Sequence, residues 1–140
     1  MDQRPSKIPV LILPAVMAGA ILLRVFDPAT SAIFPPCPVR ALTGWYCSGC
    51  GSLRAFHQLL LGNFSDAFAL NPLAVLSLPF LAYGFASYLL FQVRGRYLPK
   101  LLLPAFWIRA LAVVIVLFGV ARNLPVHPFD WLAPGAMLRP

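Results

Sequence analysis

The chain of 140 residues is long enough for one domain and too short for two domains of ordinary size. Hydrophobic residues make up 60% of it and charged residues 11%, and the mean hydropathy is +0.80. Soluble globular domains are only about half apolar and a quarter charged, so this composition indicates an all-α integral membrane protein. The net charge of +7 does not indicate a nucleic-acid partner, because the basic residues flank apolar runs and form no face with interleaved aromatic residues.

Three apolar stretches approach the roughly 20 residues that a helix needs to cross a bilayer. They are residues 8–26, 73–92 and 101–121, and they predict about three transmembrane helices within a single membrane domain, 1–140. None of the four acidic residues of the chain lies in these stretches, so the sequence contains no carboxylate relay for ion transport.

The first stretch has a second interpretation as a secretory signal. Arg4 and Lys7 precede its apolar run, and the small residues Ala29 and Ser31 can mark a cleavage site. The run is long for a signal core, which favours the membrane span. The loop that follows lies on the same side of the membrane in both cases.

Basic residues predict the orientation of the chain, because cytoplasmic loops are enriched in lysine and arginine. Such residues precede the first predicted span and crowd the connection between the second and the third, at Arg4, Lys7, Arg94, Arg96 and Lys100. We therefore expect a cytoplasmic N-terminus, with the loop 27–51 and the tail 122–140 outside the cytoplasm. Arg24, Arg40 and Arg54 lie on the outer side and oppose this assignment.

All three cysteines of the chain lie in the loop 27–51, at Cys37, Cys47 and Cys50. The spacing of Cys47 and Cys50 lets both sulfurs reach one tetrahedral metal ion, such as zinc or copper, and Cys37 can supply a third ligand. The same spacing suits a redox pair, because a helix that begins near residues 49–52 would lower the pKa of a thiol at its N-terminus. A disulfide that ties the loop is a third interpretation, and it would leave one cysteine unpaired. Unpaired cysteines that only pack in the loop are a fourth.

Residues 52–61 predict a short amphipathic helix in the membrane interface. Apolar residues recur there at helical spacing, and Gly62 and Asn63 end the pattern. If this helix begins early enough, Cys50, Arg54 and His57 share one face, where Arg54 would stabilise a thiolate and His57 would bind a metal or move a proton. His57 can equally be an ordinary polar residue of the interface.

Two further signals mark the approach to the second span. Ser65 and Asp66 can begin another short turn that runs to Leu70. Asn71 followed by Pro72 fits an N-cap residue and a proline at the first helical position.

The tail 122–140 contains His127, the only other histidine of the chain. The tail has too many prolines for a helix, and we expect it to fold back over the outer face. His127 could then join Cys37, Cys47 and Cys50 in a site of three sulfurs and one nitrogen.

The cysteine segment also resembles a known family. The motifs are Cys37-Pro38, Thr43-Gly44, Cys47-x-Gly49-Cys50-Gly51, Arg54-Ala55, Leu61-Gly62 and Asn71-Pro72. This ordered run, over roughly residues 37–76, resembles the small bacterial membrane proteins classed as domain of unknown function 2752. The resemblance implies a multi-span protein of the bacterial inner membrane and brings no enzymatic role with it. Ser48 stands where the family pattern leads us to expect proline.

These observations lead to two functional hypotheses. In the first, the extracytoplasmic cysteine loop is a structural or interaction element of a non-enzymatic membrane protein, which contacts the lipid bilayer and a partner protein or a second copy within a larger assembly. In the second, Cys47 and Cys50, with Cys37, exchange disulfides or hold a soft metal. Catalysis with Cys50 as nucleophile and His57 as base is disfavoured, since seven residues of helix separate the two by about 10 Å.

Overall fold

The computed structural model describes residues 8–94 and 105–134. Within these two stretches the chain has α-helices, one short 3-10 helix and no strand. The helices are α1 (Ile8–Val25), α2 (Pro38–Thr43), α3 (Ser52–Leu61), α4 (Phe64–Leu70), α5 (Pro72–Arg94) and α6 (Ala105–Ala121), and the 3-10 helix covers Phe129–Leu132. The all-helical fold class predicted from the sequence is confirmed for the described residues.

Helix α5 is the one helix among the described residues that is long and apolar enough to cross a membrane. Its segment Pro72–Gln92 has 21 residues, and 6% of its apolar window is buried inside the protein. The apolar parts of α1 and α6 are shorter, at Ile12–Val25 and Phe106–Ala121. Helix length therefore supports one membrane span, and the arrangement with three spans stays a prediction. Residues 101–104 of the third predicted span lie outside the described residues.

Helix α3 has the bounds that the hydrophobic pattern predicts, Ser52–Leu61. Gly62 ends it with a φ of +88°, a left-handed conformation that glycine adopts without steric cost, and its backbone N–H donates to Gln58 O. Helix α4 follows after Asn63, so α3 and α4 form a helical hairpin. Its small core consists of Ala55, Ala67 and Leu70, against which Leu59 and Val75 pack.

The loop 27–51 differs from the sequence expectation because it contains the short helix α2. Pro38 occupies the start of α2, where its missing N–H has no helical partner to lose. Gly44 ends the helix with a φ of +75° and donates its N–H to Arg40 O. This turn of helix brings Cys37, the residue before it, close to Cys47 and Cys50.

The C-terminal end of α1 is fastened to α3 by two side chains. Nδ1 of His57 donates to Leu23 O at 2.6 Å, and Nη1 of Arg24 donates to Leu60 O. His57 is buried, so this hydrogen bond satisfies a polar ring inside the protein.

The N-terminal end of α5 and the C-terminal end of α6 meet at the turn formed by residues 47–51. At Gly51, with a φ of +84°, an added Cβ would lie 2.9 Å from Leu70 O, so only glycine fits there. At Gly119 of α6 a Cβ would lie 3.6 Å from Ser48 N, so the helix backbone approaches the turn closely. One end of α5 and one end of α6 thus lie against the cysteine turn, and the end of α1 lies against α3, which follows that turn.

Candidate metal centre

The structure brings the three cysteine sulfurs together. Sγ of Cys47 lies 3.4 Å from Sγ of Cys37 and 3.1 Å from Sγ of Cys50. All three sulfur atoms lie within 4.8 Å of one another, and all three side chains are free thiols. No disulfide links them in this structure, and the loop-tying disulfide considered from the sequence stays a prediction.

The spacing of the sulfurs is close to that of a thiolate metal site. At a Zn–S distance of about 2.3 Å, tetrahedral geometry puts neighbouring sulfurs about 3.8 Å apart. Small outward movements of the side chains would let the three sulfurs surround one ion. Cys50 is buried, whereas Cys37 and Cys47 are half-buried, so an ion could enter from the side of Cys37.

Arg122, the residue after α6, holds the cysteine turn from one side. Its Nη1 donates to Cys47 O and Ser48 O at 3.2 Å each, and its Nη2 donates to Leu70 O at 3.1 Å. Its Nε donates to Leu132 O at 2.9 Å. The side chain is 2% exposed, and no carboxylate pairs with it among the described residues. Arg122 therefore binds four backbone carbonyls, two of them in the turn, and ties the turn to the end of α4 and to the tail.

Asn71 holds the same turn from the other side. Its Nδ2 donates to Ser48 O at 3.0 Å, to Ser52 Oγ at 2.9 Å and, at 3.3 Å, to Cys50 O. Its Oδ1 accepts the N–H of Ala74 at 3.1 Å, which confirms the predicted N-cap of α5. One buried amide thus starts the long helix and fixes the turn that carries Cys47 and Cys50.

Asn123 completes this set of contacts beside Arg122. Its Oδ1 accepts the N–H of Tyr46 at 2.8 Å, and its Nδ2 donates to Tyr46 O at 2.9 Å. The same Nδ2 donates to Gly119 O at 2.7 Å, which ties the amide to the end of α6. The side-chain amide of Asn123 therefore satisfies both the N–H and the C=O of Tyr46, the residue before Cys47.

The pKa values of two cysteines move in opposite directions. The backbone N–H of Arg40, together with the Cys47 thiol, lowers the pKa of Cys37 from 9.0 to about 7. Burial raises the pKa of Cys50 from 9.0 to about 12. The sequence interpretation, in which a helix N-terminus would lower the pKa of the Cys47 and Cys50 pair, is therefore wrong for Cys50. Cys50 precedes the N-cap residue Gly51 of α3 and lies in the protein interior, where its charged form is disfavoured.

Arg122 is a buried cation that interacts electrostatically with these sulfurs. Burial lowers the pKa of Arg122, and negative charge on Cys50 and Cys47 would raise it again. The attraction is mutual, so the guanidinium would stabilise negative charge that a bound group or a lost proton leaves on the sulfur cluster. A buried arginine remains protonated even when its pKa falls, and it supplies a fixed positive charge beside the sulfurs.

The other residues considered from the sequence do not join the sulfur cluster. His57 faces α1, where it binds Leu23 O, and Cys50 lies before the start of α3, so the predicted stripe of Cys50, Arg54 and His57 does not form on that helix. His127 is exposed; its Nδ1 lies 3.5 Å from Asp130 Oδ1, and its ring stacks edge-on with Trp131. Within the described ranges, the group that could hold a metal contains the three cysteines without a histidine.

Sequence reasoning missed Arg122 and Asn123 as parts of the site. They contact the cysteine segment across 74 to 77 residues of chain, a separation that no local pattern reveals. One signal in the sequence was available. Arg122 and Asn123 directly follow an apolar run, and a chain with only four acidic residues offers few carboxylates with which such an arginine could pair.

Comparison with known families agrees with the motif analysis. Residues 37–85 match the family described as protein of unknown function (DUF2752), which confirms the predicted resemblance. The matched segment runs from Cys37 through the hairpin of α3 and α4 and into α5, so it contains all three cysteines and Asn71. Arg122 and Asn123 lie beyond it. No curated protein and no solved structure matches this chain.

Proposed function

We propose that this protein, whose residues 37–85 carry the signature of the DUF2752 family, is anchored in a membrane and binds one soft metal ion through Cys37, Cys47 and Cys50. The observation that carries the proposal is the convergence of three free thiols within 4.8 Å. Thiolate ligands favour soft or borderline ions such as Cu⁺ and Zn²⁺ over hard ions such as Mg²⁺. Three sulfurs leave a coordination position that a further ligand can fill.

The electrostatics of the site support binding that is coupled to proton release. Metal ligation requires thiolates, and the pKa of about 12 keeps Cys50 protonated at neutral pH in the absence of a cation. An ion that binds all three sulfurs must displace the proton of Cys50, so metal affinity increases with pH through the neutral range. Arg122 offsets part of the negative charge that three thiolates bring to one ion.

The long helices supply the membrane anchor in this proposal. α5 is long and apolar enough to span, and large apolar side chains of α1, α5 and α6 are exposed, including Met17, Phe80 and Ile108. Exposed apolar surface of this extent suits lipid, a second copy of the chain or another membrane protein. We extend the proposal to spans at 8–26, 73–92 and 101–121 in a bacterial inner membrane, with the cysteine segment on the extracytoplasmic side.

The test is a metal census of the full-length protein in a neutral detergent. The reduced protein is loaded with Zn²⁺ or Cu⁺ under anaerobic conditions, desalted and analysed for metal per chain. We expect one ion per chain, with loss of at least tenfold in affinity for Cys37→Ser, Cys47→Ser and Cys50→Ser. Ser48→Ala is the matched control, because it alters a side chain of the same turn and leaves every sulfur in place.

Cobalt substitution gives a second readout that does not depend on affinity. Cobalt bound by thiolates has intense charge-transfer absorption in the near ultraviolet, and this absorption increases with the number of thiolates. We expect wild-type protein and Ser48→Ala to share one spectrum, and Cys50→Ser to give a weaker band. The absence of stoichiometric Zn²⁺, Cu⁺ and cobalt binding in folded, reduced wild-type protein would rule the proposal out.

Thiol exchange is a second candidate function, and the pKa of Cys37 favours it. With a pKa lowered to about 7 and a half-buried side chain, Cys37 has far more thiolate at neutral pH than an ordinary cysteine. Its thiolate would attack a disulfide of a partner protein and release one partner thiolate. Cys47, 3.4 Å away, would then attack the mixed disulfide, so that a Cys37–Cys47 disulfide forms and the partner leaves with two thiols.

Cys50→Ser separates the two candidates. Exchange between Cys37 and Cys47 needs no third sulfur and should persist in this variant, whereas the metal site loses a ligand. Incubation with oxidised glutathione, followed by disulfide mapping, measures the exchange directly. A Cys37–Cys47 disulfide that forms readily and reverses with mild reductant, without stoichiometric metal binding, would favour exchange over metal binding.

A further inference from the structure

An open cleft of about 620 Å³ lies beside the sulfur cluster. The irregular segment before α2, the start of α2 and the first turn of α3 form its walls. Its lining includes Arg40, Arg54, Cys37 and Cys50, together with the hydroxyls of Thr30 and Ser31. The cleft is therefore both polar and in direct contact with two of the three sulfur-bearing side chains.

The charge of this cleft is positive. Its lining contains two arginines and no acidic residue. Arg40 lies over the ring of Tyr46, with its guanidinium carbon 4.0 Å from the ring centre, so the contact orients the side chain without neutralising it. Arg54 is partly buried, and its side chain makes no hydrogen bond or ion pair with any residue of 8–94 or 105–134.

A third cation adds to the positive potential. Arg54 lies close enough to Arg122 for the two like charges to lower the pKa of Arg122. Arg122 donates its hydrogen bonds to backbone carbonyls, which carry no net charge. No carboxylate among the described residues pairs with it, so its positive charge is not neutralised. An anion in the cleft would relieve this repulsion and give Arg54 the acceptor that it lacks.

We propose that this cleft binds a phosphate group, with Arg40 and Arg54 as the recognising side chains. The planar donor fork of arginine matches the oxygens of a phosphate, and the hydroxyls of Thr30 and Ser31 can donate to the remaining oxygens. The inference goes beyond metal binding and does not rest on it. The phosphate belongs either to the headgroup of an anionic lipid, which the apolar helices would hold nearby, or to a soluble phosphate compound.

The test compares the wild type with Arg40→Gln/Arg54→Gln in two arms. In the first arm, full-length protein in a neutral detergent is titrated with inorganic phosphate at constant ionic strength. In the second arm, the protein is reconstituted in nanodiscs of phosphatidylcholine containing phosphatidylglycerol, and retained lipids are counted by native mass spectrometry. Arg94→Gln is the matched control. It makes the same type of substitution, with loss of one positive charge, at the far end of α5, about 33 Å along that helix from Pro72.

We expect saturable binding of one probe by the wild type and by Arg94→Gln, and loss of at least tenfold in affinity for the double variant. Binding of phosphatidylglycerol alone assigns the phosphate to a lipid headgroup, and binding of inorganic phosphate assigns it to a soluble compound. Equal binding by the wild type and the double variant, or binding of neither probe by the wild type, would refute the proposal.

A measurement on the unaltered protein covers the case in which the double variant fails to fold. Cys37 lines the cleft, so an occupant should slow its alkylation. We expect the bound probe to lower the alkylation rate of Cys37 at least threefold relative to chloride at the same ionic strength. An unchanged rate at saturating concentrations of both probes would contradict the assignment of the phosphate to this cleft.

Discussion

Arg122 acts on the cysteine turn through hydrogen bonds to backbone carbonyls, and this sets its expected mutational behaviour. Three of its four acceptors belong to the turn or to the end of α4, at Cys47 O, Ser48 O and Leu70 O. These oxygens are held against a side chain that is almost fully buried. Replacement by an apolar side chain of similar length would remove the charged donor from all three oxygens. Ser48 O would keep the Asn71 amide and Cys47 O the N–H of Cys50, whereas Leu70 O would lose its donor in a site that water reaches poorly.

We expect Arg122→Met to destabilise the protein by about 3 kcal/mol or more, because it removes hydrogen bonds from a charged donor, worth about 1.5–3 kcal/mol each, and leaves the buried Leu70 O without a donor. The thermal unfolding midpoint in detergent, followed by tryptophan fluorescence, measures the loss. Arg109→Met makes the same change at an exposed position of α6 and should leave the midpoint unchanged. Comparable loss in both variants would show that the burial of Arg122 has no special role.

The opposed pKa values of Cys37 and Cys50 predict selective alkylation. The thiolate is the reactive form, so the rate at Cys37 should increase about tenfold per pH unit below pH 7 and level off above it. Cys50 should stay unreactive to at least pH 9, since its pKa lies near 12 and its side chain is buried. Iodoacetamide labelling of the reduced protein, with peptide mass spectrometry from pH 5 to pH 9, measures both rates. Equal rates at Cys37 and Cys50 would contradict this electrostatic description.

At the scale of elements, Asn71 links the start of α5 to the turn before α3. The N-cap contact uses Oδ1, whereas the contacts to the turn use Nδ2. A substitution that keeps the acceptor and removes the donors can therefore separate the two roles. Aspartate does this, because it caps helices as well as asparagine does.

We expect Asn71→Asp to lose about 2 kcal/mol of stability even though the cap of α5 is retained. Its carboxylate would face the carbonyls of Ser48 and Cys50 without a proton to share. Asn71→Ala, which removes both roles, is the comparison variant, and chemical unfolding in mixed micelles measures both. A stability of Asn71→Asp equal to that of the wild type would show that helix capping is the whole contribution of Asn71.

The elements also show which parts of the fold are accessible from the sequence. The bounds of α3 and the cap at Asn71 follow from local patterns, in which a run of apolar residues ends at Gly62 and Asn71 precedes Pro72. Helix α2 escaped prediction because its six residues are too few for a period to be visible, and the prolines around it indicated irregular structure. The convergence of the cysteines was foreseen as one alternative from their spacing. The side chains that hold them in place were not, because those contacts depend on tertiary structure.

At the scale of the whole molecule, three apolar helices end near one polar segment. α5 begins beside it at Asn71 and α6 ends beside it at Arg122, whereas α1 ends against α3, the helix that follows the segment, through Arg24 and His57. If all three helices span a bilayer, the cysteines lie at one surface of that bilayer. Basic residues near the opposite ends of these helices predict that those ends lie in the cytoplasm. The cysteines are then predicted to lie at the extracytoplasmic surface.

We expect a membrane-impermeant maleimide to label Cys37 in reduced, intact spheroplasts, because Cys37 is half-buried and lines an open cleft. In a background with all three cysteines changed to serine, Arg96→Cys should be labelled only after the membrane is broken. A gel shift measures the labelling of both proteins, the one with its native cysteines and the Arg96→Cys variant. The reverse pattern, with Arg96→Cys labelled first, would place the cysteine segment in the cytoplasm.

The separation in sequence between Arg122 and the turn at Cys47 also bears on biogenesis. A nascent chain carries all three thiols long before α6 has been synthesised, yet the guanidinium that fixes their turn arrives about 75 residues later. Complete preorganisation therefore has to wait until the last long helix has left the ribosome. Chains truncated before residue 122 would expose the same cysteines in a loose loop, open to oxidation and to recognition by proteases.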